Sequence, residues 1–264
     1  MRTRPTPTRR GTASSNVSSS VTRLIQGSTT SSWTRPRSSC PPSSTSSPLP
    51  PSASGIPSAD RVRVALRNGS IDLVELDGDR DRPPLLFLHE GLGSIGLWRQ
   101  FPRDLTRATG RRGVVYSRYG YGHSDPWIGE PSVEYMHDEA LVVLPELLGV
   151  LEIDSPVLIG HSDGASIALI FAGSGGDASG LALLAPHVFV EDRSIAGVES
   201  ARDAFLTTDL AERMARHHDA ADDTFWRWNE IWLAPEFRSW DIEESLAGIT
   251  APVLLVQGSD DQYG

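Results

Sequence analysis

The chain has 264 residues, 39% of them hydrophobic, and a formal net charge of −10 at pH 7, enough for one α/β domain with a cap. All 24 basic residues are Arg; residues 1–59 hold seven of them and no acid, which leaves 17 Arg against 34 acids in residues 60–264. A domain this acidic argues against nucleic acid or an anionic membrane as partner. No run approaches the roughly 18 apolar residues a bilayer requires, and a single cysteine, Cys40, excludes an internal disulfide. The expected partner is a small-molecule substrate, and the expected location is cytoplasmic.

Ser, Thr, Pro and Arg fill 42 of the first 59 positions. Such a segment buries too little apolar surface to offset its ordering entropy and is expected to be disordered. Its Arg- and Ser-rich, acid-poor character superficially resembles a transit peptide. The chain has no Lys, which suggests GC-rich coding, and GC-rich DNA read out of frame yields this same composition.

Ordered structure is expected from Arg61 on. Arg61–Leu66 and Ile71–Leu76 alternate with period two around Asn68-Gly69, a hairpin signal. A buried strand over Pro84–Leu88 leads into the glycine-rich turn His89-Glu90-Gly91-Leu92-Gly93. A helix near Trp98–Thr109 and a strand over Gly113–Tyr116 follow. Tyr135–Val150 carries apolar residues at helical spacing, with Pro145 expected to kink or split the helix. Pro156–Ile159 is the next strand, Ala165–Phe171 a helix and Gly180–Ala185 another strand. Alternation of this kind implies a parallel sheet with helices on both faces. It stops at Pro186. Residues 187–240 are helical in character and hold four of the seven tryptophans. An insertion on the carboxyl edge of the sheet would lie over the site as a lid. Its aromatics would either line an apolar pocket or form a small core of their own. Pro252–Gln257 then returns to the sheet. The division expected is a tail over 1–59, a core over 60–186 and 241–264, and a lid over 187–240.

The most informative segment is Gly160-His161-Ser162-Asp163-Gly164. It sits between strand and helix, where G-x-S-x-G marks a sharp turn that lifts a serine above the sheet. Serine is a weak nucleophile until a base takes its proton. The N–H of Asp163, at a helix N-terminus, is one donor for a developing oxyanion, and the N–H of Gly91 is the second.

Four motifs in order, at 89–93, 117–124, 160–164 and 258–261, make the chain resemble an α/β-hydrolase-fold serine hydrolase over about 200 residues. Two positions depart from the usual pattern: Glu90 replaces a second glycine, and Ser117 replaces an Asp. The resemblance implies Ser162 as nucleophile, Asp261 as catalytic acid and a histidine after it. No histidine follows Asp261, and the expectation is a C-terminally truncated chain lacking its last strand, last helix and catalytic base. His187 lies on the correct edge and is expected to be a hinge residue or a substrate contact, alongside Glu90 and Trp228. His89 is expected to order its loop. His217-His218 with nearby acids matches no zinc signature and is expected to be a solvated helix face. No metal or cofactor is expected. Asp163, in the first turn of a helix, is expected either to be a carboxylate stabilised by the macrodipole or to be a free negative group beside the nucleophile that favours substrates with an amine or a neutral acyl part; Ser-Asp-Gly at the elbow is similar to amino-acid-ester hydrolases of the biphenyl-hydrolase-like type. The expected reaction is hydrolysis of a carboxylic ester or thioester through acyl-Ser162. The alternatives are C–C hydrolysis of a ring-fission diketone and a non-catalytic remnant.

Overall fold

A computed structural model describes residues 61–264; the expectation for residues 1–59 lies outside them. The alternating segments pair as β1 (Arg61–Leu66) and β2 (Gly69–Leu76), antiparallel, with Leu66 opposite Gly69. The turn is therefore Arg67-Asn68, one residue earlier than the sequence signal, and Gly69 opens β2 at φ +135°. Four further strands follow in the core: β3 (Leu85–Leu88), β4 (Gly113–Tyr116), β5 (Val157–His161) and β6 (Gly180–Leu184). With β7 (Val253–Val256) they form a seven-stranded sheet of order β1-β2-β4-β3-β5-β6-β7, parallel from β4 onward. β3 and β4 are buried on both faces, which explains their unbroken apolar runs. β3 neighbours β5 with Leu88 opposite Gly160, so the glycine-rich turn and the G-x-S-x-G turn emerge side by side at the carboxyl end of the sheet, where open α/β sheets bind ligands.

The helix expected from Trp98 begins later. A 3-10 turn at Ile95–Trp98 ends at Arg99 (φ 52°), and α1 (Phe101–Thr109) starts with Pro102 in its first turn, where its missing N–H costs nothing. The segment around Pro145 is one helical stretch in three parts: α2 (Tyr135–Asp138), a π-helical segment (Glu139–Val143) and α3 (Leu144–Val150). Pro145 has no N–H to return to residue 141, and the wider π turn lies where that bond is lost. Helix α4 (Asp163–Gly173) is buried from Asp163 to Ala172, as expected of a helix that is apolar on all sides.

Between β6 and β7 run α5 (Asp192–Thr207), α6 (Leu210–Met214), α7 (Ala221–Leu233), a 3-10 turn (Pro235–Ser239) and α8 (Glu243–Leu246). Both roles left open for the aromatics here are filled, and Trp232 serves in both. Phe205 stacks on Phe225 at 3.8 Å, and Trp232, Phe237 and Trp240 form a chain of ring contacts, while Trp228 and Trp232 also wall a cavity. β7 returns to the sheet as expected, and lies at its edge. Val253–Val256 are 48–61% exposed, because β7 pairs with β6 alone and nothing among the described residues covers it. Among the described residues no helix is long and apolar enough to cross a membrane.

Candidate active site

The elbow is built by close approach. A Cβ on Gly160 would lie 2.5 Å from Ala165 Cα, and one on Gly164 would lie 2.0 Å from the Leu88 carbonyl oxygen. Only glycines let β5, α4 and the end of β3 meet this closely. Ser162 between them is held at φ 51°, ψ −120°, a conformation costing a non-glycine residue of order 1–3 kcal/mol. Its backbone is held firmly. The N–H donates to Leu184 O at 2.9 Å, and the carbonyl accepts from Ala165 N at 2.8 Å and Ser166 N at 3.0 Å. Asp163 is the first residue of α4, where an N–H has no intrahelical partner.

Ser162 lines a cavity of about 260 Å³. Gly91, Asp163, Glu90, His187, Trp228 and Asp261 line the same cavity, as do His161, Trp232 and Tyr263. A larger cleft of about 450 Å³ lies between the loop after β4 and α7; it takes in Gly120–Ser124 of the 117–124 motif but none of the site residues expected from the sequence. Volume does not pick out the site; the strained serine and the adjacent helix N-terminus do.

Behind Ser162 lies a buried polar network that the sequence did not reveal. Tyr135 Oη donates to Asp163 Oδ2 at 2.5 Å, and Trp232 Nε1 donates to Tyr135 Oη at 3.0 Å. Arg118 Nη2 stands 3.8 Å from the same carboxylate oxygen and donates to Glu90 O at 2.9 Å. Glu139, placed inward by the π-helical segment, accepts from Tyr116 Oη at 2.7 Å. Burial would lower the Arg118 pKa, but Tyr121, Asp163 and Glu139 around it keep it charged. Burial raises the carboxyl pKa of Asp163, and Arg118 opposes that rise. Asp163 is thus not the free anion beside the nucleophile that the sequence suggested. It is fully buried, with one oxygen engaged by Tyr135 and Arg118 and Oδ1 without a partner.

His89 is also fully buried and neutral, its pKa lowered by burial. Its Nε2 accepts from Arg118 N at 3.1 Å, and its Nδ1 bonds to Glu90 O at 2.7 Å, so it orders the Gly91 loop as expected. At the cavity mouth Glu90 Oε2 lies 3.7 Å from His161 Nδ1, and the Glu90 contact raises the His161 pKa. Burial lowers the His187 pKa against the opposing field of Asp163 and Asp261, which favours the neutral imidazole. Ser166 Oγ donates to His187 O at 2.6 Å. Asp261 accepts from Tyr263 N at 2.9 Å. Among the described residues, no imidazole is hydrogen-bonded to Ser162 Oγ.

One expectation is overturned at His218. It is 4% exposed rather than part of a solvated face. Nδ1 accepts from Gly122 N at 3.0 Å and Nε2 donates to Leu92 O at 3.1 Å. The imidazole ties the segment before α7 to both loops, and its polar atoms are satisfied by backbone, which a periodicity argument cannot see. Among the described residues no three His, Cys, Asp or Glu side chains are grouped to hold a metal ion.

A family model described as the alpha/beta hydrolase fold matches residues 83–211, from the strand before the Gly91 loop, through the elbow, into the helical insert. This chain has the α/β-hydrolase fold. It is 35% identical over 96 residues to the sn-1-specific diacylglycerol lipase ABHD11 of Danio rerio, covering 36% of this chain and 29% of that protein. It is 26% identical over 210 residues to the non-heme chloroperoxidase CPO-A1 of Kitasatospora aureofaciens, covering 68% of this chain and 74% of that one. An alpha/beta hydrolase fold protein from Burkholderia ambifaria superposes with a TM-score of 0.58 at 20% identity, covering 77% of this chain and 82% of its own. The match to ABHD11 thus spans less than a third of the lipase.

Proposed function

We propose that this chain carries the site of a serine hydrolase acting on a carboxylic ester or thioester of a small molecule. The carrying observation is the strained Ser162, raised between two close-approach glycines in one cavity with Gly91, Asp163 and Asp261. In this mechanism Ser162 Oγ attacks the acyl carbon as its proton passes to a base. The Gly91 and Asp163 N–H groups stabilise the oxyanion. The C–O or C–S bond then breaks, the leaving group takes a proton, and water hydrolyses acyl-Ser162. Asp261 is assigned to orient an imidazole that accepts the serine proton; among the described residues none is bonded to Ser162. The fold, the partial match to a lipase and the acidic balance of residues 60–264 support a hydrolase with a small-molecule substrate rather than a nucleic-acid or membrane ligand. The composition supports a cytoplasmic location.

Two alternatives each rest on one observation. The aromatic wall of Trp228, Trp232 and Tyr263 suits a ring-fission diketone. The lack, among the described residues, of an imidazole bonded to Ser162 suits a non-catalytic remnant. A fluorophosphonate probe, with p-nitrophenyl esters assayed beside a dienoate diketone, decides between them. Labelling and turnover that vanish in Ser162→Ala support the acyl-serine reading; turnover unchanged in that variant overturns it. Stable folding without labelling indicates the remnant.

A further inference from the structure

Trp228 and Trp232 stand one turn apart on α7, and both line the Ser162 cavity. Their indole N–H groups fare differently. Trp232 Nε1 donates to Tyr135 Oη. Trp228 Nε1 is buried with no hydrogen-bond partner, in a residue only 7% exposed. A buried donor without an acceptor forgoes its water bond and gains nothing in return, so native structures seldom keep one without reason. Trp98 and Trp240 also carry unpartnered indole N–H groups, but neither lines this cavity.

The location of the Trp228 N–H is specific. A Cβ on Gly91 would lie 2.2 Å from Trp228 Nε1, closer than to any other atom. The indole nitrogen therefore rests directly on Gly91, beside the backbone N–H assigned to the oxyanion. Position 91 must lack a side chain so that the indole can reach it. The unpartnered indole N–H and the Gly91 backbone thus lie side by side in the wall of one cavity.

We propose that Trp228 Nε1–H is a specificity-determining donor for a second oxygen of the acyl group, adjacent to the scissile carbonyl. The favoured substrates are then α-oxygenated acyl esters rather than simple alkanoyl ones. This rests on the acyl-serine reading only for its catalytic consequence; binding can be read without turnover.

Two unreactive ligands of equal shape provide the probe, methoxyacetanilide and butyranilide, which differ by one ether oxygen in place of a methylene. In the 264-residue protein, calorimetry is expected to show methoxyacetanilide binding at least about fivefold tighter, the worth of one neutral hydrogen bond. Trp228→Phe is expected to abolish that preference. With ¹⁵N-tryptophan label, the Trp228 indole resonance, assigned by its loss in Trp228→Phe, is expected to move downfield with methoxyacetanilide and not with butyranilide. This second readout needs no stable variant beyond the assignment. Equal affinities in the wild-type protein, a preference that survives Trp228→Phe, no binding of either ligand, or an unmoved indole resonance each overturns the proposal. Fluorophosphonate labelling of Ser162 is scored separately. An indole shift without labelling sinks the hydrolase reading alone, and labelling without a shift sinks the donor alone.

Discussion

Gly164→Ala is the sharpest perturbation of the elbow. The added methyl would meet Leu88 O at 2.0 Å, Leu88 C at 2.4 Å and His89 O at 2.7 Å. All three are backbone atoms of the strand end that carries the Gly91 loop, so no side chain can swing aside. Relief requires α4 to move off β3, opening a core that is buried along the whole helix. Overpacking costs about 1–3 kcal/mol where neighbours can yield; with only backbone to yield, we take the upper value of about 3 kcal/mol. For a domain of about 200 residues, each kcal/mol lowers Tm by about 2–4 °C, so a drop of about 6–12 °C is expected. Thermal unfolding followed by circular dichroism measures it. Gly149→Ala is the control: it meets nothing within 4 Å on a helix, and is expected to gain about 0.4–1 kcal/mol. A Gly164→Ala protein melting within 2 °C of wild type, by the same scale of about 2–4 °C per kcal/mol, would refute the close-packed elbow and with it the placement of Ser162.

Two further predictions concern protonation. His218 is pushed down to about 4 by burial, below the ordinary value of about 6.5. Its contribution is therefore present above pH 6.5 and lost as pH falls toward 4. Between pH 7 and pH 5 the wild-type protein should lose about 2 kcal/mol more than His218→Gln in urea denaturation, and equal losses would remove His218 as the cause. His161 is raised, chiefly by its contact with Glu90, so its contribution is complete below the ordinary histidine value and fades as pH rises through the raised one. Glu90→Gln should move the His161 midpoint downward in an NMR titration; an unmoved midpoint would assign the shift elsewhere.

Much of the fold was legible because its signals are local. Alternation marked β1 and β2, short apolar runs marked β3 to β6, and glycines at 160 and 164 marked the turn between β5 and α4. The hairpin register slipped by one because Gly69 serves the sheet and not the turn. β7 was marked by its Val-Leu-Leu-Val run, though such a run says nothing of how many neighbours a strand will have. The residues singled out around Ser162 share one cavity because each follows a strand or sits on the insert beside it. The polar network was illegible for a different reason. Arg118, Tyr135 with Glu139, and Trp232 come from three separate segments and meet only in three dimensions. Tyr135 reads as the first residue of a helix, and nothing local marks Glu139, which the π-helical segment turns inward.

The left-handed backbone at position 162 sets stability and chemistry against each other at a single residue. Glycine there would relax the turn and lose the hydroxyl, so Ser162→Gly is a change that makes the molecule sturdier and mute. Laboratory evolution that rewards heat resistance alone should find that exchange early, and would need a covalent probe of the serine in its screen to keep the site.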